Sequence, residues 1–203
     1  MRVPFERGVR YLNTPLELGA RGLLFAAALL LVGAFFLPLW QIHVASPTSP
    51  SLGVVIYAGR VEPVGAPDES VVLTRDHSPD SRWLPFVIGG LALLLLRAAA
   101  IGTGRSIVDL SALFGYFLAF SIWSFAGRLD FYGRYLSAPT SGGISLFVPP
   151  LFGHERLGDL DVFSLPDAGA IAIVVAGIAL VWAGVLSWRR ASSEMAAEVR
   201  MAA

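Results

Sequence analysis

Four stretches of the chain, 22–40, 83–101, 107–127 and 168–188, are almost wholly apolar, and the polar residues collect between them. A helix that crosses hydrocarbon needs about 20 such residues, because its backbone finds no hydrogen-bond partner there except itself. The pattern predicts an all-α membrane protein with four transmembrane helices. The first stretch opens after 21 residues, and it exceeds the ~7–15-residue apolar core of a signal peptide, so an uncleaved anchor is expected. Segments 1–21 and 189–203 then flank the spans, and 41–82 and 128–167 are two long connections.

The pattern changes inside those connections. In 41–82, a start rich in Pro, Ser and Gly leads to GVVIYA (53–58) and SVVLT (70–74), two β-branched runs that read as a small hairpin or sheet. In 128–167, DFYGRY (130–135) and ISLFVPPLF (144–152) are too apolar for a solvated loop, and long structureless loops are rare. A small external cap with short β-strands is expected from the two together. Asp167 stands where an N-cap of the last helix belongs. In 1–21, Val3, Phe5, Val9, Tyr11 and Leu12 alternate with Arg, as in a segment lying on the membrane surface or in a solvated basic tail.

Charge converts the spans into an orientation. The 203 residues carry 15 basic and 15 acidic side chains, every base being Arg. The termini and the short 102–106 turn, counted with Arg97 and Asp109, hold nine Arg against five acids, and the long connections hold six against ten. By the positive-inside rule both termini of this multi-pass protein are cytoplasmic and both long connections are external. Charged residues make up 15% and apolar ones 55%, with a mean hydropathy of +0.67, far from the ~25% charge of soluble domains.

Candidate chemistry is sparse. Without Cys there is no disulfide, thiolate metal site or cysteine nucleophile, and without Lys no Schiff base or P-loop. Three histidines, His43, His77 and His154, lie in the connections; imidazole suits copper, so they are the candidate metal ligands, with ordinary loop histidines as the alternative. No His falls within a span to hold a haem. Asp109 is an acid inside a span, and Arg105 four residues before it and Arg97 across the turn predict a structural ion pair rather than a proton path. Gly169, Gly177 and Gly184 give the fourth helix a small-residue side for close packing by a helix of this chain or another. No catalytic motif is present, so no enzyme and no cofactor of its own are expected, and no nucleic-acid partner.

Two stretches carry a resemblance. LPLWQIHVASPTSPSLGVVIYAGRVEP (37–63) and YGRYLSAPTSGGISLFVPPLFGHERLGDLDVFSLPDAGAI (132–171) resemble bacterial membrane proteins encoded beside nitrous-oxide reductase accessory genes. Shared features are an aromatic PLW exit from the first span, a PP-L-G centre, and an S-PD-G entry to the last helix. The resemblance implies four spans in a bacterial inner membrane and a role in metal delivery to, or maturation of, a periplasmic cuproenzyme. Where that family has Asn-His-Tyr-Ile-Gly-Met and Pro-Gly-Met segments, this chain reads LTRDHSPDSRW (73–83) and ISLFVPP (144–150), with His77 and no Met.

The resulting expectation is a non-catalytic accessory or structural subunit of a bacterial energy-converting, electron-transport membrane complex. It would hold other membrane-protein subunits through its periplasmic loops and helices, with lipid around it. Copper delivery or maturation for a cuproenzyme such as nitrous-oxide reductase is the alternative, and a small transporter component is a weaker one.

Overall fold

The computed structural model describes residues 11–46, 49–65, 83–137, 148–157 and 160–202. It is mostly helical, with a small antiparallel sheet. Helices α1 (Leu18–Phe36), α2 (Leu84–Ile101), α3 (Gly104–Ser137) and α4 (Ala168–Ala202) are each long and apolar enough to cross a membrane. The strands are β1 (Trp40–Ser46), β2 (Ser49–Ile56), β3 (Val61–Val64), β4 (Gly153–Leu157) and β5 (Leu160–Pro166), in the order β3-β2-β1-β5-β4.

Element ends have local causes. Pro38 cannot continue α1 and pushes Leu37 out of helical geometry; two residues later Leu39 donates its N–H to Ile56 O at 2.7 Å, and Trp40 opens β1. At the α2–α3 turn, Gly102 packs on Ala98 O where any Cβ would collide. Thr103 then caps α3, its N–H donated back to Ser106 Oγ at 3.4 Å as in a capping box. Helices α3 and α4, with 34 and 35 residues, run about 50 Å at 1.5 Å per residue. They outreach the ~30 Å hydrocarbon core, which is why they extend past the apolar windows 107–127 and 168–188.

The chain divides into two compact units. The first takes Met1–Val32, Ile88–Phe117 and Ile173–Ala203. Its buried positions recur at alternating three- and four-residue steps: Ala20, Leu24, Ala27 and Leu31; Ile88, Leu91, Leu95 and Ala98; Ile107, Leu110, Phe114 and Phe117; Ile173, Ala176, Leu180, Ala183 and Ser187. That is the seam of a helix bundle. The opposite faces expose Leu29, Leu93, Val108 and Ile178, where a water-soluble bundle would carry polar residues. Within 11–16, Tyr11 and Leu16 are buried while Asn13 and Pro15 are exposed; Leu16 donates its N–H to Gly102 O, and Gly104 donates its N–H to Thr14 O.

The second unit takes Gly33–Val87 and Leu118–Ala172 and holds the sheet. Strands β1 to β3 come from the first long connection and β4 and β5 from the second, joined by the β1–β5 ladder. One sheet face buries Ile42, Val44, Val54, Ile56 and Val162 against Leu129 and Phe125 of α3, each fully buried aliphatic side chain contributing roughly 1.5–3 kcal/mol. Ser164, fully buried in this layer, accepts the indole N–H of Trp40 at 2.9 Å. GVVIYA falls largely in β2, paired with β1 and β3; SVVLT (70–74) lies outside the described residues.

Candidate functional site on the open sheet face

In an antiparallel ladder, residues directly opposite one another point to the same face. The registers line up Val64, Gly53, His43, Phe163 and His154 in one row across all five strands, on the face turned away from Leu129. A neighbouring row holds Glu62, Val55, Gln41 and Leu165. Val64, Phe163 and Leu165 remain 43%, 40% and 53% exposed. Charged and polar groups ring them.

The two described histidines are both engaged. His154 stacks on Phe163 with ring centroids 4.5 Å apart, and its Nε2–H donates to Asp161 Oδ1 at 3.1 Å. His43 lies across Gly53, where a Cβ would stand 2.8 Å from Nδ1, and its Nε2–H donates to Gln41 Oε1 at 3.1 Å. The Gln41 amide in turn donates to Asp167 Oδ2, while Asp167 Oδ1 accepts the Ala168 N–H at 2.6 Å. The tautomers follow from these partners, since a carboxylate and an amide oxygen only accept. The result is a polar chain from His43 through Gln41 to the first turn of α4.

His43 and His154 do not converge. They stand two strands apart with Phe163 between them, and their Nε2 atoms serve different partners, Gln41 and Asp161. His77 lies outside the described residues, and among the described residues no group of three or more His, Asp or Glu is placed to hold a metal.

The other sequence-selected residues belong to the helices. Arg105 Nε lies 3.8 Å from Asp109 Oδ2, one turn along α3, with both side chains largely exposed. Such a loose pair contributes about 0.5 kcal/mol or less. Arg97 makes no ion pair among the described residues. The small-residue side of α4 meets this chain itself: a Cβ on Gly177 would fall 2.7 Å from Phe114 Cε1, one on Gly184 3.3 Å from Ile107 Cγ2, and one on Gly169 2.8 Å from Pro38 O.

No protein-family model matches the chain, and no curated protein matches it.

Gln41 and Phe163 were not singled out from the sequence. A signal for Gln41 exists in the alternation WQIHVA (40–45), which puts Gln41 and His43 on one face of a strand. Phe163 acquires its place only from the β1–β5 register, which joins segments more than 100 residues apart.

Proposed function

We propose that the protein is a non-catalytic accessory subunit of a bacterial energy-converting membrane complex, and that the open sheet face docks a partner subunit. The observation that carries this reading is the row Val64–Gly53–His43–Phe163–His154, an ordered face with aliphatic and aromatic side chains at its centre and His, Asp, Glu and Arg around them. Protein interfaces share that anatomy, with an apolar, aromatic core and a polar rim. Aromatic residues on a rigid sheet dock with little entropy cost, since few rotamers are lost. The reading also draws on the long, apolar connections, while the resemblance of 37–63 and 132–171 to membrane proteins encoded beside nitrous-oxide reductase accessory genes supports a respiratory setting. The Arg distribution supports cytoplasmic termini and a periplasmic sheet in the inner membrane, so that the partner's docking surface is periplasmic. Copper delivery gains nothing from the separated His43 and His154.

A photo-crosslinking residue in place of Phe163 tests the docking face in native membranes. One defined adduct is expected at this position and none with the crosslinker in place of Arg60. Equal, diffuse labelling from both positions contradicts it.

A further inference from the structure

At the α2–α3 turn a cavity of about 370 Å³ opens between the two helices. Its α2 wall includes Leu94, Arg97 and Ile101, and its α3 wall includes Arg105, Asp109 and Leu113. These recur at three- and four-residue steps, so each set lies on one helix face. The charges lie toward the turn, where Ile101 ends α2, and Leu94 and Leu113 lie deeper. At 1.5 Å per residue, Arg97 is about 6 Å from the end of α2, and Arg105 and Asp109 lie about 2 and 8 Å inside the start of α3. Leu94 and Leu113 follow at about 10 and 14 Å. Leu113 is 44% exposed and Ile101 73%, so the apolar wall is open to whatever surrounds the helices.

Arg105 shares its charge with Asp109 across 3.8 Å. Arg97 has no ion-pair partner among the described residues, and the three charges sum to +1. A guanidinium at the end of an apolar span is stabilised by an anion within reach. Arg presents a planar fork suited to phosphate oxygens.

We infer that this cavity binds the headgroup phosphate of an anionic phospholipid, with Arg97 as the principal cation, Arg105 the second, and an acyl chain running along Leu94 and Leu113. A free phosphate ion shares the charge chemistry but has no use for the apolar wall. A zwitterionic lipid brings a quaternary amine toward the same guanidinium groups. Asp109 opposes the anion. The inference uses only the spans and the turn, and it stands independently of what docks on the sheet.

The test is native mass spectrometry of the full chain in neutral detergent, titrated in parallel with phosphatidylglycerol, phosphatidylcholine and inorganic phosphate. Phosphatidylglycerol is expected to bind selectively. Arg97→Gln is expected to weaken it on the order of tenfold, the loss of one charge-assisted contact, while Asp109→Asn tightens it. Arg189→Gln, which removes an exposed charge on α4, is expected to leave it unchanged. The Asp109→Asn gain cannot come from a damaged fold, so it decides the matter even where Arg97→Gln folds poorly. Equal binding of both lipids, equal losses from Arg97→Gln and Arg189→Gln, no gain from Asp109→Asn, or displacement of the lipid by inorganic phosphate would each overturn the assignment.

Discussion

Gly169 donates its backbone N–H to Pro38 O at 2.8 Å, and a Cβ added at Gly169 would come equally close to that same oxygen. Two of the obstructing atoms there, Pro38 O and Leu37 O, are backbone and cannot swing aside, and the third is Leu39 Cδ2. At Gly177 the obstruction is the buried Phe114 ring, and at Gly184 a methyl of Ile107 at 3.3 Å. Replacing a helical Gly by Ala gains up to about 1 kcal/mol, whereas overpacking costs roughly 1–3 kcal/mol. Thermal unfolding in detergent should therefore rank Gly169→Ala as most destabilising, Gly177→Ala next, and Gly184→Ala as neutral or stabilising. An equal effect at all three would show that the close approaches are not what these glycines supply.

Half-buried Trp40, at the end of the first apolar stretch, donates its indole N–H to the buried Ser164 hydroxyl at 2.9 Å and ties β1 to β5. Trp40→Phe strands a buried hydroxyl and Ser164→Ala strands an indole N–H, each at a cost of about 1–3 kcal/mol. The double variant should cost less than the sum of the two. A double-mutant cycle with a coupling energy near zero would remove this bond from the list of what holds the sheet.

Ser121 Oγ, on α3, is buried and has no hydrogen-bond partner among the described residues. Ser121→Ala removes the unsatisfied hydroxyl and improves helix propensity, so it should stabilise the protein by about 1 kcal/mol. Lower stability in the alanine variant would mean that the hydroxyl has a use which the fold does not reveal.

These contacts differ in how far the sequence discloses them. Uninterrupted apolar runs make the four helices legible, because hydrocarbon-length helices leave a signal confined to one stretch of chain. The sheet is only half legible. The run GVVIYA marks β2, but β1 begins with Trp40 inside the first apolar window, and β5 pairs with it from across two helices. Pairing of that kind depends on register, and register is invisible in a composition of Val, Ile and Phe. For the same reason the three histidines look equivalent in sequence, while the ladder puts Phe163 between His43 and His154. The α4 glycines were legible as a packing side but not as to partner, since the spacing that suits Phe114 suits a foreign helix equally well.

Tyr11 is buried, with its ring edge-on to Trp188 at 5.1 Å. Burial raises its pKa above the ordinary 10.0, and the hydrogen bond with Ser187 partly opposes this. A tyrosine whose folded pKa is raised binds its proton more tightly when folded. Its contribution is full below pH 10 and is lost as pH rises through the higher folded value. Stability should thus fall above pH 10, more steeply in the native chain than in Tyr11→Phe. Parallel alkaline slopes would place the loss elsewhere.

The native chain has no cysteine, so single substitutions report topology cleanly. Arg60→Cys, at an exposed site beside β3, should react with an impermeant maleimide in intact cells. Ser193→Cys, exposed on α4, should react only after the inner membrane is permeabilised. The reverse pattern would invert the orientation drawn from the Arg distribution.

Native-gel migration after gentle detergent extraction tests partner docking on the open sheet face most directly. The native chain should run in a defined assembly well above its own 21.7 kDa, and the Phe163→Asp/Leu165→Asp double variant, with unchanged helical circular dichroism, should run alone. A native chain that migrates alone, or a double variant that stays in the assembly, would contradict the docking role.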